Sequence, residues 1–103
     1  DDSLTMPLLA AGADGVISVT ANAYPARFSD MVRAGIKGDV ATARKLHFEL
    51  LDFMNALFLD GSPAGIKAAL EIMKLCKNEL RLPLVGVKPE VYKHLKELIT
   101  RLH

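Results

Sequence analysis

Disulfide bonding within the chain is excluded, because Cys76 is the one cysteine. A lone thiol fits a reducing compartment, and on a helix it serves as a small apolar side chain. Tryptophan is absent and aromatic residues make up only 6% of the sequence, so the apolar content is mostly aliphatic. No sign of charge dominates: 13 basic residues against 12 acidic ones give a formal net charge of +1. That balance leaves no electrostatic footprint for nucleic acid or an anionic membrane. No apolar run approaches the roughly 18 residues of a membrane-spanning helix. No charged segment precedes a short apolar core, so no signal peptide is visible, and a cytoplasmic location is expected. His47, His94 and His103 lack metal-ligand spacing, and no metal site is expected. Gly12-Ala13-Asp14-Gly15 is no dinucleotide fingerprint, since it precedes an expected strand rather than following one. Repeats, low-complexity tracts and flexible linkers are also missing. The sequence opens on Asp1 rather than Met, which suggests processing, truncation or proteolysis.

What remains is a chain of 103 residues, half of them hydrophobic, with a mean hydropathy of +0.22. So short a chain buries a modest share of its surface. The surplus of apolar side chains therefore points to a missing packing partner. Val16, Ile17 and Val19 are β-branched, and Gly15 permits an unusual backbone angle just before them. The pattern predicts one strand at about Gly15–Val19. A strand's backbone needs partners, so either another chain or a larger fold must supply them.

The rest of the pattern is helical. Asp2 or Ser3 is positioned to cap a first helix running to about Ala11, with Leu4, Leu8 and Ala11 at helical spacing and Gly12 as its stop. Helix, turn and strand in that order form the αβ half of a βαβ unit. Ala26 to Ile36 places Phe28, Met31, Val32 and Ile36 on one side, and Gly38-Asp39 breaks and recaps. Val40 to Leu59 carries a broad apolar face of Val40, Ala43, Leu46, Leu50, Phe53, Met54, Leu57 and Phe58. Asp60-Gly61-Ser62-Pro63 is a stop and restart, with Ser62 expected as N-cap and Pro63 at the first helical position. A helix over Ile66–Leu75, a connector over Asn78–Val87 and a last helix from Lys88-Pro89-Glu90 to about Leu102 complete the chain, the last through Val91, Leu95, Leu98 and Ile99. A subdomain break is expected near Asn22 or Ala23, with α/β material before it and helices after it.

Three segments, in order, carry a family resemblance. Asp1-Asp2-Ser3, followed by Leu8-Leu9-Ala10-Ala11-Gly12 and Gly15-Val16-Ile17-Ser18-Val19-Thr20-Ala21-Asn22, resembles the seventh-to-eighth strand region of the dihydrodipicolinate synthase family. Ser62-Pro63-Ala64-Gly65-Ile66-Lys67-Ala68-Ala69 resembles that family's N-P-x-P-V-K helix start, with Gly65 where a second proline often stands. Leu80-Arg81-Leu82-Pro83-Leu84 resembles its L-R-L-P segment. The resemblance implies the last third of a (β/α)8 TIM barrel enzyme with a C-terminal helical extension. Residues 1–22 would be the last helix and strand of the barrel, and residues 23–103 its final helix and the C-terminal helical region. This chain would then be mostly α with one barrel strand.

The same resemblance implies condensation of pyruvate with aspartate semialdehyde through a lysine Schiff base, on the route to diaminopimelate and lysine. It implies no other cofactor. It also implies a homo-oligomer, commonly a tetramer, whose contacts the Leu4–Ala11 helix would lie near. Ile17 is the substrate-binding candidate, through its main-chain carbonyl to pyruvate; from pattern alone it reads as a packed core isoleucine. The catalytic lysine and tyrosines of the family lie upstream, so no residue here is assigned a catalytic role and the chain by itself is expected to be inactive. Lys67, flanked by Ile66, Ala68 and Ala69, matches the structural helix-start motif and reads as a surface or packing lysine. Asp1 and Asp2 suit a helix N-terminus better than acid–base work. Two other readings stand beside this one. One is a related pyruvate aldolase of the sialic acid lyase or keto-deoxy sugar aldolase type. The other is a stand-alone helical interaction module binding through Leu46, Leu50, Phe53 and Leu57.

Overall fold

A computed structural model of the chain describes residues 1–102; His103 lies outside the described residues. The regular elements are all helical: α1 (Thr5–Ala10), α2 (Pro25–Lys37), α3 (Val40–Ala56), α4 (Ala64–Ile72) and α5 (Pro89–Leu102), with 3-10 turns at Asp2–Leu4 and Thr20–Asn22. Two units are distinguished, Asp1–Leu51 and the part from Asp52 onward. The strand expected at Gly15–Val19 is not formed; among the described residues there is no strand at all. The reason is the partner requirement, since β-branched residues favour a strand only where a neighbouring strand accepts their backbone groups. No other segment of the described residues adopts a strand to supply that pairing.

In the first unit, α1 packs on α2. The contact is close because Gly35 has no side chain: a Cβ there would lie 2.7 Å from Leu9 Cδ1. Leu9 is buried, while Leu4 and Leu8 are about half exposed. The apolar side expected from Leu4, Leu8 and Ala11 is therefore turned outward, and the buried positions are Asp2, Thr5 and Leu9. On α2, Phe28, Met31 and Ala34 are buried, whereas Ile36 is exposed, against expectation. Ile36 sits in the last turn, just before Gly38 takes a left-handed φ of 84° and ends the helix. Asp39 then caps α3, its Oδ1 accepting a hydrogen bond from the Thr42 N–H at 3.2 Å. Hydrogen bonding from the Thr42 side chain, and then from its N–H, holds the Asp39 carboxyl below its usual pKa.

In α3, Ala43, His47, Leu50, Phe53, Met54 and Ala56 are buried, as is Leu57 just past its end. The helix stops three residues short of Leu59, and Phe58 and Leu59 are left exposed. Val40 is exposed too, because it occupies the first turn.

In the second unit, α4 packs on α5. Lys67 N–H donates to the Pro63 carbonyl at 3.0 Å, so α4 begins one residue later than expected and Ser62 stands outside it. Gly65 is the most closely packed of the glycines. A Cβ there would fall on the Leu57 carbonyl oxygen, with the carbonyl carbon at 2.7 Å and Cα at 2.9 Å. Where a second proline was the family expectation, the absence of any side chain lets α4 rest directly on the Leu57 backbone. Helix α4 ends at Ile72 rather than Leu75, because Lys74 takes a left-handed φ of 62°. Cys76 consequently lies in an exposed bend and not on a helix.

The connector that follows has no regular structure but is tied down by two carboxylates. Glu71 Oε2 accepts from the Asn78 N–H at 3.1 Å and Glu71 Oε1 from the Tyr92 hydroxyl at 2.9 Å. Asp60 Oδ2 accepts from the Lys88 N–H at 2.7 Å, at the entry to α5. Helix α5 spans the expected residues and buries the expected Val91, Leu95, Leu98 and Ile99.

Three outcomes are expected. Gly65→Ala should cost at least about 2 kcal/mol, because backbone rather than a flexible side chain must move. Gly61→Ala, at a left-handed φ of 87° in open space, should cost about 1 kcal/mol. Urea midpoints of the intact protein measure both. The third outcome concerns pH. The bond to Glu71, followed by desolvation and the carboxylate's charge, raises the Tyr92 pKa above its ordinary 10.0. A raised pKa means that this stabilisation is fully present below the ordinary value and is lost as pH rises through the folded value. The stability difference between the protein and its Tyr92→Phe variant should thus be constant near neutrality and shrink in alkaline solution; a difference independent of pH would remove Glu71 as the cause.

Candidate functional site

The segment between α1 and the Thr20–Asn22 turn is the candidate site. Helix α1 closes with Ala11 N–H bonded to the Pro7 and Leu8 carbonyls and Ala13 N–H returning to the Leu8 carbonyl at 3.0 Å. Gly12, at a φ of 105°, makes that reversal without the Cβ penalty. Residues 13–18 then run without regular structure. Ile17 is fully exposed (102%), and Val16 is 42% exposed. Within this chain Ile17 is therefore not packed in a core. Among the described residues nothing hydrogen-bonds to the backbone of Gly15, Val16 or Ile17, so their N–H and C=O groups are free to meet a ligand or further chain.

The exit from this segment is fixed by contrast. Ser18 Oγ accepts from the Ala21 N–H at 3.0 Å. Asn22 Nδ2 donates to the Val19 carbonyl at 3.1 Å. The Thr20 N–H, on a residue with no exposed surface, donates to Asp2 Oδ2 at 2.7 Å. Asp2 itself is 4% exposed, and no side-chain cap is made at the N-terminal turn. The capping role expected of Asp2 is therefore replaced by a bond spanning eighteen residues. Nothing in the local pattern could have signalled it, because the pairing depends on where the chain returns.

Beside the segment, an open hollow of about 310 Å³ has Phe28 and Val32 from α2 among its lining, together with Gly15, Val16, Ser18 and Arg33. Tyr24, at the N-cap of α2, has its phenol pKa pushed up by burial, with the Arg27 guanidinium opposing the shift from 5.6 Å off the ring centroid.

The remaining candidates lie elsewhere in the fold. Asp1 is exposed. Lys67 is half-buried on α4, in keeping with a packing lysine. His47 is buried on α3 and His94 is exposed on α5. Among the described residues no group of three His, Cys, Asp or Glu side chains is placed to hold a metal ion. No helix of the described residues is long and apolar enough to cross a membrane. Leu50, Phe53 and Leu57 of the proposed interaction stripe are buried, which leaves no open face for a partner helix there.

Amide hydrogen exchange should report the contrast between the two ends of the segment. The Thr20 amide should exchange at least about tenfold more slowly than that of Ile17, after correction for intrinsic rates. Equal rates would mean that the Asp2–Thr20 bond does not persist in solution.

Comparison with known proteins gives a consistent relationship. The sequence model of the dihydrodipicolinate synthetase family matches residues 1–102. The 4-hydroxy-tetrahydrodipicolinate synthase of Phocaeicola vulgatus is 43% identical over 102 residues, covering 99% of this chain and 34% of that protein. The crystal structure of dihydrodipicolinate synthase from Aquifex aeolicus, 40% identical, superposes with a TM-score of 0.94 over 98% of this chain and 34% of that one. A chloride-inhibited dihydrodipicolinate synthase from Acinetobacter baumannii, solved in complex with pyruvate, is 32% identical with a TM-score of 0.95 over 99% of this chain and 35% of that one. The chain thus spans about a third of the length of the curated relative it matches. With a family match along residues 1–102 and the same fold in the corresponding third of solved members, the chain belongs to the dihydrodipicolinate synthetase family.

Proposed function

We propose that this chain is the C-terminal third of an enzyme that condenses pyruvate with aspartate semialdehyde, in diaminopimelate and lysine biosynthesis. The observation that carries the reading is the likeness of residues 1–102 to the family as a whole, together with the close superposition on a relative that holds pyruvate. In this reading residues 1–22 complete the wall of a (β/α)8 barrel up to its last helix. Residues 23–103 then provide that helix and the C-terminal helical region.

The chemistry begins with a lysine amine supplied by the remainder of the enzyme. It attacks the C2 carbonyl of pyruvate, water leaves, and an imine forms. Loss of a proton from the methyl carbon gives an enamine, whose carbon attacks the aldehyde of aspartate semialdehyde. The amino group of that substrate then closes the ring on the imine carbon and releases the lysine. This chain contributes the main-chain carbonyl of Ile17 to the pyruvate subsite. The free backbone of Gly15–Ile17 and the complete exposure of Ile17 support that role. Because the carbonyl acts and the side chain does not, the identity of residue 17 matters less than where the backbone runs.

The apolar side chains exposed on Leu4, Leu8, Val16 and Ile17 fit burial by the remaining two thirds of the enzyme. The working enzyme is cytoplasmic and a homo-oligomer, a tetramer in the pattern of the family, and needs no cofactor.

Intact mass after incubation with pyruvate and borohydride tests the proposal. The complete enzyme should gain one reduced pyruvate adduct, and peptide mapping should place it on a lysine outside these 103 residues. The isolated chain should gain none. An adduct on Lys67, or none on the complete enzyme, would overturn the assignment. Faster turnover of sugar-derived aldehydes than of aspartate semialdehyde would move the enzyme to a neighbouring aldolase class.

A further inference from the structure

We infer that Asp2 is a positioning residue for the pyruvate subsite, acting through its bond to the Thr20 N–H. The inference rests on the pyruvate-binding role proposed for Ile17 and deepens it. Its starting point is a cost. A carboxylate that is 4% exposed has lost most of its water, and burial of that kind persists only where hydrogen bonds replace the lost hydration. One such bond is explicit, from the Thr20 N–H at 2.7 Å, a length typical of a charge-assisted pair. The other groups at this junction are polar as well. Thr5, three residues after Asp2, and Thr20 are buried threonines whose hydroxyls have no hydrogen-bond partner.

The location turns this bond into a positioning device. Residues 13–18 have no regular structure of their own to hold them. The segment is anchored at one end by the return of Ala13 N–H to the Leu8 carbonyl and at the other by the 3-10 turn beginning at Thr20. Thr20 is three residues from Ile17, so the placing of the Thr20 backbone limits where the Ile17 carbonyl can lie. Asp2 stands at the start of the turn that leads into α1. Its carboxylate therefore ties the Thr20 end of the loop to the turn that opens α1, while the Ala13 end is held by α1 itself, and the direction of the Ile17 carbonyl follows from these two ties. No side chain of Asp2 needs to touch substrate for this.

The test uses the complete enzyme and reads the pyruvate concentration that half-saturates the borohydride-trapped adduct, beside the pyruvate KM and kcat. Asp2→Ala removes the acceptor and should raise both the half-saturation and KM about tenfold, with kcat changing less than about threefold, the split of a lost binding contact. Asp2→Asn keeps an oxygen acceptor and should restore both to within about twofold. That rescue separates positioning from a general loss of structure, which would lower the amount of active enzyme without altering half-saturation. Unchanged half-saturation in Asp2→Ala would overturn the inference. Should the alanine variant not fold, Asp2→Glu decides: it keeps charge and acceptor but moves the oxygen outward by one methylene, so a raised half-saturation is expected and an unchanged one refutes positioning. Absence of any adduct on the unsubstituted enzyme would instead refute the pyruvate reading itself.

Discussion

Backbone hydrogen bonding is the constraint on which the rest of this structure depends, because a helix satisfies its peptide groups internally and a single strand cannot. Five α-helices close their own hydrogen bonds and form within the described residues. Val16 and Ile17 favour a strand but have no neighbouring strand, and residues 13–18 remain irregular. The same fact that denies them secondary structure leaves the peptide groups of Gly15, Val16 and Ile17 available. A stretch with free backbone and an exposed apolar side chain is poorly suited to be an outer surface. It is well suited to line a pocket completed by other parts of an enzyme.

Short-range packing in each unit is set by glycines where elements approach closely. Gly35 admits Leu9 against α2, and Gly65 admits the Leu57 backbone against α4. The two are not equivalent. At Gly35 the nearest atom belongs to the end of a leucine side chain, which can rotate away; at Gly65 it is backbone, which cannot. Carboxylates add to this packing and hold the irregular segments: Glu71 binds both the connector and Tyr92, Asp60 binds the entry to α5, and Asp2 binds the turn at Thr20. Each accepts from a backbone N–H, which irregular chain has in surplus.

The candidate site was legible in part. Gly12, Gly15 and the β-branched run marked residues 12–19 as unusual, and the family resemblance singled out Ile17. The exposure of Ile17 was not legible, since β-branched residues at strand spacing read as core until the absence of a pairing partner is seen. The Asp2–Thr20 bond was invisible for a different reason. A carboxylate near a helix start is the usual sign of a cap, and only the returning chain offers Asp2 a donor that outcompetes the local N–H groups.

The sequence by itself determined the helices and the stops at Gly12 and Gly38, though not the ends of α3 and α4. The period of Phe28 and Met31, of Ala43, Leu50 and Leu57, and of Val91, Leu95 and Leu98 encodes buried faces. Gly12 and Gly38 encode ends, because a left-handed residue costs glycine little and other residues more. It also determined family membership, through three motifs in order. Tertiary structure decided the rest: the outward turn of Leu4 and Leu8, the exposed bend holding Cys76, the seating of Gly65 on a carbonyl, and the buried partner of Asp2. The division follows the range of the forces. Helix periodicity and glycine stops act within a few residues and are written in adjacent letters, whereas burial and the pairing of polar groups depend on segments that meet only when the chain has folded.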